Sequence, residues 1–157
     1  MSELRSTPHF VRRSTVPLTS HHDHRAFREH VREDFRKTCA YCLLEELWAA
    51  GPENFELDHF RPQSLFPLLI TNFYNLYWSC HVCNRLKRNR WPSAELRKAN
   101  TGFVDLCASP FDEHFVELKN GKWRGKTISA KYTIDVMRLN RPHLVELRTL
   151  LRDLLLE

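Results

Sequence analysis

The stretch SCHVCNRLKRNR, residues 79–90, sets two cysteines three positions apart and follows them with an asparagine and several basic residues. Two thiolates supply only half of a tetrahedral zinc site, so a metal here needs a second pair of ligands. The segment CAYC, residues 39–42, provides that second pair. The two Cys-x-x-Cys pairs therefore predict one structural zinc site. Its four thiolate ligands are Cys39, Cys42, Cys80 and Cys83.

The alternative to a zinc site is a set of four metal-free thiols or a redox-active pair. The chain has five cysteines, an odd number, and paired Cys-x-x-Cys motifs in a reducing compartment are more often metal ligands than disulfides. Cys107 has no partner at a matching spacing, so we expect it to be a small buried apolar residue.

Length and charge narrow the class of protein. The 157 residues suit one domain, and a net charge of +5 with a pI near 9.1 favours a polyanionic partner. No apolar run approaches the roughly 18 residues of a membrane span. The polar start MSELRSTPHFVRRST lacks the hydrophobic segment of a secretory signal. We therefore predict a cytoplasmic protein without a membrane partner.

The chain divides into an arm and one domain. Residues 1–22 lack apolar periodicity and predict an extended or flexible arm, and residues 23–157 form the domain. Phe27, Val31 and Phe35, spaced by four, predict an amphipathic helix that Ser20 or Asp23 caps. Beyond it the pattern predicts an α+β core. Its elements are a strand at 55–60, a strand or loop at 75–79, and a helix from Cys83 to about residue 88.

A C-terminal extension, residues 93–157, follows the core. HFVELKNGKWRGK, residues 114–126, predicts a hairpin in which Asn120-Gly121 forms a type I′ turn. Two helices should follow, one over 127–139 and a leucine-rich one after Pro142. The apolar face of the second helix either packs onto this domain or forms an interface with a partner helix or a second copy of the chain.

Three polar residues lie between or beside the cysteine pairs. Asp58 and His59 are adjacent in FELDHFRPQS, and Asn75 follows in YNLYWSC. Neighbouring side chains on a strand point to opposite faces, so Asp58 and His59 need a bend or a strand end to reach one phosphate. Arg61-Pro62 could supply that bend. An Asp-His dipeptide alone means little, and its interest comes from its position between the cysteine pairs.

These segments together resemble the HNH endonucleases, whose ββα-metal fold places two strands and a helix around one divalent cation. The resemblance rests on CAYC (39–42), LDHFRPQS (57–64), NL (75–76) and CHVCNRLK (80–87), within residues 35–92. It implies an α+β fold with a four-cysteine structural zinc. Asn84 stands where some members of the family carry a histidine.

The resemblance also implies a role for each polar residue. Asp58 and Asn84 would bind a catalytic Mg²⁺ or Mn²⁺ distinct from the zinc, and both offer the hard oxygen ligands that these cations prefer. His59 would be the general base, and Asn75 would orient it by a hydrogen bond. The products would carry 5′-phosphate and 3′-hydroxyl ends.

The basic residues around the motifs predict phosphate contacts, although such a run can also be a solvated surface. We expect double-stranded DNA as the substrate. The residues expected to contact nucleic acid are Arg61, Arg85, Lys87, Arg88 and Arg90.

The segment GKTISAKYTIDVMRLNRPHLVELR, residues 125–148, resembles the tail of HNH proteins from bacterial defence and mobile-element loci. Several of those proteins work beside an ATPase, so an ATPase or sensor partner is predicted. Two alternatives stay open: a zinc-stabilised nucleic-acid-binding module without turnover, and an effector subunit that is silent until its partner acts. The cluster at 21–24 is expected to be a helix start with exposed imidazoles. The cluster at 112–114 either approaches the active site from the hairpin or serves as surface or local capping.

Overall fold

Two antiparallel strand pairs and six α-helices form the part of the chain that the computed structural model describes, residues 8–12 and 23–156. The mixed α+β class is as predicted. The helices are α1 (Arg28–Asp34), α2 (His81–Lys87), α3 (Ala94–Lys98), α4 (Phe111–His114), α5 (Ile128–Val136) and α6 (Pro142–Leu156). The strands are β1 (Phe55–His59), β2 (Leu76–Cys80), β3 (Phe115–Glu117) and β4 (Trp123–Gly125). Short 3-10 helices cover His24–Phe27, Glu46–Ala49, Pro52–Asn54, Pro67–Leu69 and Phe73–Asn75.

The centre of the fold is the sequence of elements β1, loop, β2 and α2. β1 pairs with β2 so that Phe55 lies opposite Cys80 and Asp58 lies opposite Tyr77. α2 begins directly after β2, at His81, two residues earlier than the sequence pattern predicted. The reason is local: Cys80 is extended and already acts as the N-cap, so the turn between the two cysteines is the first turn of the helix.

The helix before the first cysteine pair packs on this centre. Asp23 caps a 3-10 turn by accepting from the Arg25 backbone N–H (2.9 Å), and α1 follows. Val31 and Phe35 are completely buried, as their spacing predicted. Ser20, the other predicted cap, lies outside the described residues.

The arm is described over residues 8–12 alone, and there it is packed. Phe10 is buried, and its backbone N–H donates to the carbonyl of Leu106 (2.9 Å). Arg12 forms an ion pair with Asp34 (3.1 Å). Residues 8–12 have no regular secondary structure, and they are part of the core's packing. The prediction for 1–7 and 13–22 lies outside the described residues.

The hairpin β3–β4 forms where it was predicted, but its turn is of another type. Gly121 has a φ of 76°, whereas Asn120 is not among the residues with positive φ, as a type I′ turn requires. The Gly121 N–H donates to Leu118 O (2.9 Å) and the Leu118 N–H donates to Lys122 O (2.8 Å). This pattern is a three-residue loop in which only the glycine is left-handed. The type I′ prediction is therefore wrong.

The last two helices close the described chain. Thr127 caps α5 by accepting from the Ala130 N–H (3.1 Å), and α5 ends three residues before the predicted limit. On α6, Leu144 is buried, whereas Leu150 and Leu154 near its end are more than half exposed. The first half of α6 therefore packs on this domain, and an interface through its second half stays a prediction. No helix in the described ranges, α6 included, is long and apolar enough to cross a membrane.

Candidate metal centre and active site

The four predicted zinc ligands form one buried cluster. Their sulfur atoms all lie within 4.8 Å of one another. The Sγ atoms of Cys42 and Cys80 are 3.8 Å apart. A tetrahedral zinc with Zn–S bonds of about 2.3 Å places its sulfurs about 3.8 Å apart. The donor set therefore fits a four-thiolate zinc site, and none of the four cysteines is in a disulfide.

The first cysteine pair sits in a turn that is tied to the second strand. The Cys39 N–H donates to Leu44 O (2.8 Å), and Leu43 takes the left-handed conformation with a φ of 61°. The Ala40 N–H donates to the carbonyl of Trp78 in β2 (2.8 Å). This bond brings the turn next to Cys80, at the end of the same strand.

A cleft of about 390 Å³ opens beside this cluster, at the end of β1 and along α2. Three of the four predicted catalytic and cation-binding residues line it: Asp58, His59 and Asn84. The fourth, Asn75, is buried and does not line the cleft. β1 ends at His59, and this strand end allows the adjacent side chains of Asp58 and His59 to line the same cleft. The sequence analysis required such a strand end or a bend.

Asp58 is buried with two partners on the same carboxylate oxygen. Its Oδ2 accepts from the hydroxyl of Tyr41 and from the ammonium of Lys87, the latter at 3.1 Å. Burial raises the pKa of Tyr41 well above its ordinary value, so the phenol remains a donor. Both contacts use Oδ2, and Oδ1 makes no hydrogen bond within the described chain. Oδ1 is thus the oxygen available for a cation.

Lys87 is in a different place from the one predicted. Its side chain is 0% exposed, and its ammonium also donates to the carbonyl of His59 (2.8 Å). Burial lowers the pKa of Lys87, and the charge of Asp58 opposes this shift. An ammonium held inside by Asp58 is removed from the surface that phosphate reaches. The assignment of Lys87 as a nucleic-acid contact is therefore corrected: it fixes Asp58 and the end of β1.

We predict that Lys87→Met lowers the free energy of unfolding by about 3–5 kcal/mol, because Asp58 would keep a buried charge without its partner. Urea unfolding with and without the substitution measures this. Lys98→Met, which removes an exposed lysine from α3, is the matched control and should change stability little. The double variant Asp58→Asn with Lys87→Met should lose less than the two single losses combined. Additive losses would contradict the pairing.

His59 is held by both ring nitrogens. Its Nε2 lies 2.8 Å from the carbonyl of Ile70, which can only accept, so Nε2 carries the proton. Its Nδ1 lies 3.1 Å from the side-chain nitrogen of Gln63, which donates to it. Burial lowers the pKa of His59 below its ordinary value, against the effect of the Ile70 carbonyl. The ring is therefore neutral near neutral pH, with the lone pair on Nδ1.

Asn75 does not make the predicted hydrogen bond to His59. Its Oδ1 accepts from the Arg61 N–H (2.9 Å), and its Nδ2 donates to the Arg61 carbonyl (3.0 Å). The amide thus holds both backbone groups of the residue two positions after His59. This corrects the predicted contact: Asn75 fixes the loop after β1, and the Ile70 carbonyl orients the His59 ring.

Asn84 directly follows the last cysteine and faces β1. Its Nδ2 donates to one carboxylate oxygen of Glu56, whose other oxygen lies 3.0 Å from Nε2 of His81. Because the nitrogen of the Asn84 amide is held by Glu56, its carbonyl oxygen is left for another ligand. His81, which lies between the two cysteines of the second pair, is thus a partner of Glu56.

Sequence reasoning missed several groups at this site. Glu56 could have been found, since it lies two residues before Asp58 and so on the same strand face. The role of Tyr41 could not be predicted, because the residues between the two cysteines of a Cys-x-x-Cys pair have no role of their own in that pattern. His24, expected to be an exposed imidazole, packs edge-on against His59 with ring centroids 4.8 Å apart. Gln63 likewise had no signal.

The remaining basic residues of the prediction are exposed. Arg85 and Arg88 line the cleft. Arg61 and Arg90 are also exposed, but they are not among the residues that line the cleft. By contrast His114, in the cluster at 112–114, bonds locally to Ser109 (2.6 Å) and Thr127 (3.2 Å).

The fold and site define a mixed α+β protein with a cluster of four cysteines that fits a zinc ion, beside a cleft lined by polar and basic side chains. No protein-family model matches the chain. The chain is similar to the Septu protein PtuB of Bacillus thuringiensis, with 29% identity over 106 residues. The similar region covers 66% of this chain and 37% of that protein.

Proposed function

We propose that the protein is an HNH-type endonuclease that hydrolyses phosphodiester bonds of double-stranded DNA with one divalent cation. The observation that carries this proposal is the single cleft lined by Asp58, His59 and Asn84. In it, a neutral imidazole, whose Nδ1 lone pair accepts only from the Gln63 amide, lies beside two side-chain oxygens that no donor of the described residues engages. A module that only binds nucleic acid needs no such combination.

Asp58 Oδ1 and Asn84 Oδ1 would hold the cation. Oxygen ligands of this kind suit Mg²⁺ or Mn²⁺, which keep several water ligands and bind substrate phosphate. When bound, the cation would offset the charge that builds up on the phosphate and on the leaving oxygen. The contacts of Asp58 with Tyr41 and Lys87 would fix the carboxylate before the cation arrives.

His59 would start the reaction by accepting a proton from water at Nδ1. For this the Gln63 amide, now 3.1 Å from Nδ1, must be replaced by the water. The resulting hydroxide forms a bond to phosphorus, and the bond from phosphorus to O3′ breaks. O3′ takes a proton from solvent water, which leaves 5′-phosphate and 3′-hydroxyl ends. The Ile70 carbonyl stabilises the doubly protonated ring, because it accepts from Nε2.

Arg85 and Arg88, both exposed at the cleft, would contact the phosphates of the substrate, with Arg61 and Arg90 beyond them. We predict that Arg85→Ala weakens DNA binding equally for unrelated sequences and lowers the slope of log K against log salt by about 1. Fluorescence anisotropy at several salt concentrations measures the slope. Lys119→Ala, at the exposed hairpin turn, is the charge-matched control and should leave it unchanged. Equal slopes for both variants would place Arg85 away from phosphate.

Cleavage of supercoiled plasmid tests the function itself. We expect the purified, zinc-loaded protein to nick plasmid with Mg²⁺ or Mn²⁺ and to stop when the catalytic cation is chelated. The DNA ends should be ligatable after nicking, as 5′-phosphate and 3′-hydroxyl ends are. Absence of cleavage by the folded, zinc-loaded chain would contradict a self-sufficient nuclease. That outcome would favour an effector subunit that acts only with its partner.

We further propose a role in anti-phage defence or a mobile element, beside an ATPase or sensor protein. The similarity to the Septu protein PtuB supports this proposal. That similarity covers little more than a third of PtuB. The partner and the biological setting are therefore part of the proposal and concern the protein in its cell. Co-purification of an ATPase with the tagged chain from its native host tests it.

A further inference from the structure

Two arginines of the C-terminal extension lie beside the four-cysteine cluster. Arg141 precedes the body of α6, and Arg148 lies within it. Neither forms an ion pair with a carboxylate anywhere in residues 8–12 and 23–156. A guanidinium remains charged in proteins, so a partly buried one requires an opposite charge or a full set of acceptors.

Arg141 contacts the cluster directly. Its Nη2 lies 3.6 Å from Sγ of Cys83 and 4.0 Å from Sγ of Cys80. Its Nη1 donates to the carbonyl of Met137 (3.2 Å), which fixes the direction of the side chain. Its Nε is buried and has no hydrogen-bond partner in the described chain. Within the described ranges, the two sulfurs are thus the only groups in contact with this guanidinium that can carry a negative charge.

Arg148, two turns further along α6, lines the same pocket as Cys42 of the cluster. Its guanidinium lies 3.8 Å from the centre of the Trp123 ring, and Nη1 donates to the carbonyl of Leu139 (2.8 Å). Its Nη2 is buried and has no hydrogen-bond partner in the described ranges. Among the described residues Glu117 forms no ion pair with Arg148, and its Oε2 accepts from the Trp123 indole (3.2 Å).

The positive charges of the two arginines are compatible with only some chemical states of the four cysteines. Four neutral thiols, or two disulfides, would leave Arg141 without an opposite charge and Arg148 without an ion-pair partner in the described ranges. A divalent ion bound to four thiolates carries a formal excess of two negative charges. Two guanidinium groups balance that excess.

We propose that Arg141 and Arg148 are the counter-charges of the four-thiolate zinc centre, and that this ion pairing fastens α6 to the zinc site. Zinc then holds together more than the turn and the helix that supply its ligands. It also secures α6 of the C-terminal extension, which begins more than 50 residues after Cys83. α6 has few other anchors in its second half, where Leu150 and Leu154 are exposed. The proposal does not depend on nuclease activity.

Zinc release from the full chain tests the proposal. Purified zinc-loaded protein is mixed with an excess of a colorimetric zinc chelator, and the release rate is measured. We expect Arg141→Met to release zinc at least about tenfold faster than wild type, as for other groups that hydrogen-bond metal ligands. Arg148→Met should act in the same direction. Arg141→Lys, which keeps the charge, should release zinc at an intermediate rate.

Arg138→Met is the matched control, since it removes an exposed arginine three residues before Arg141. A second measurement is hydrogen exchange of the zinc-loaded proteins. Arg141→Met should speed exchange in α6 and leave β1 and β2 unchanged. Equal zinc release from Arg141→Met and Arg138→Met would overturn the proposal. Equal rates of zinc release from Arg141→Lys and Arg141→Met would also overturn it, because the charge would then not matter. If Arg141→Met folds poorly, Arg148→Met takes its place in this comparison.

Discussion

His59→Ala is expected to lower the rate of DNA cleavage by about 10²–10⁴-fold, because the water would lose its proton acceptor. The loss should fall on the turnover number, whereas DNA affinity and zinc content should stay near their wild-type values. The backbone at this position is held by Lys87, whose ammonium donates to the His59 carbonyl, and alanine keeps that carbonyl. Single-turnover cleavage of a labelled duplex, with anisotropy for affinity, measures the two quantities separately.

His143→Ala is the matched control, since it removes an exposed histidine near the start of α6, away from the cleft residues. It should cleave at the wild-type rate. Turnover by His59→Ala at the rate of His143→Ala would remove His59 from the mechanism. A loss of DNA binding equal to the loss of cleavage would instead assign His59 to substrate contact.

Cys39→Ser is expected to abolish stoichiometric zinc binding and to unfold much of the domain at ordinary temperature. Three thiolates bind zinc far more weakly than four, and the free energy of zinc binding is part of the free energy of folding. For small zinc-dependent domains that binding free energy is about 10–16 kcal/mol, as large as the whole stability of a typical domain. Metal analysis and thermal unfolding by circular dichroism measure zinc content and stability together.

Cys107→Ser is the matched control for this substitution. Cys107 lies outside the cluster of four cysteines, so it is not among the proposed ligands. The control should keep one zinc per chain and lose little stability. A Cys39→Ser protein that is fully folded without zinc would refute the structural role of the metal.

The zinc ligands and the order of elements could be predicted because both depend on local spacing. Two Cys-x-x-Cys turns aim their sulfurs inward wherever they occur, and β1, β2 and α2 each carry their own pattern. The proximity of Asp58, His59 and Asn84 followed from that order. The local sequence pattern was enough in this case, and the structure places these side chains around one cleft.

The predictions that were wrong depended on the direction of a side chain or the path of a loop, which the local sequence does not specify. Lys87 belongs to a run of basic residues that look alike in the sequence, but it lies one helical turn after Cys83 and so shares the buried face of α2. Asn75 could reach either the His59 ring or the Arg61 backbone, and only the path of the loop decides between them. The Asn120-Gly121 turn depended on loop length, which a dipeptide does not specify.

The two partners of Asp58 have a consequence for redesign of this protein. Tyr41 lies between the two cysteines of the first pair, and Lys87 lies on the helix that begins with the second pair. A zinc-free version with an apolar core in place of the cysteines could recover its thermal stability and still misplace the carboxylate. Replacement of the four cysteines must therefore rebuild the supports of Asp58 as a separate problem, because a screen for stability alone would not detect a misplaced carboxylate.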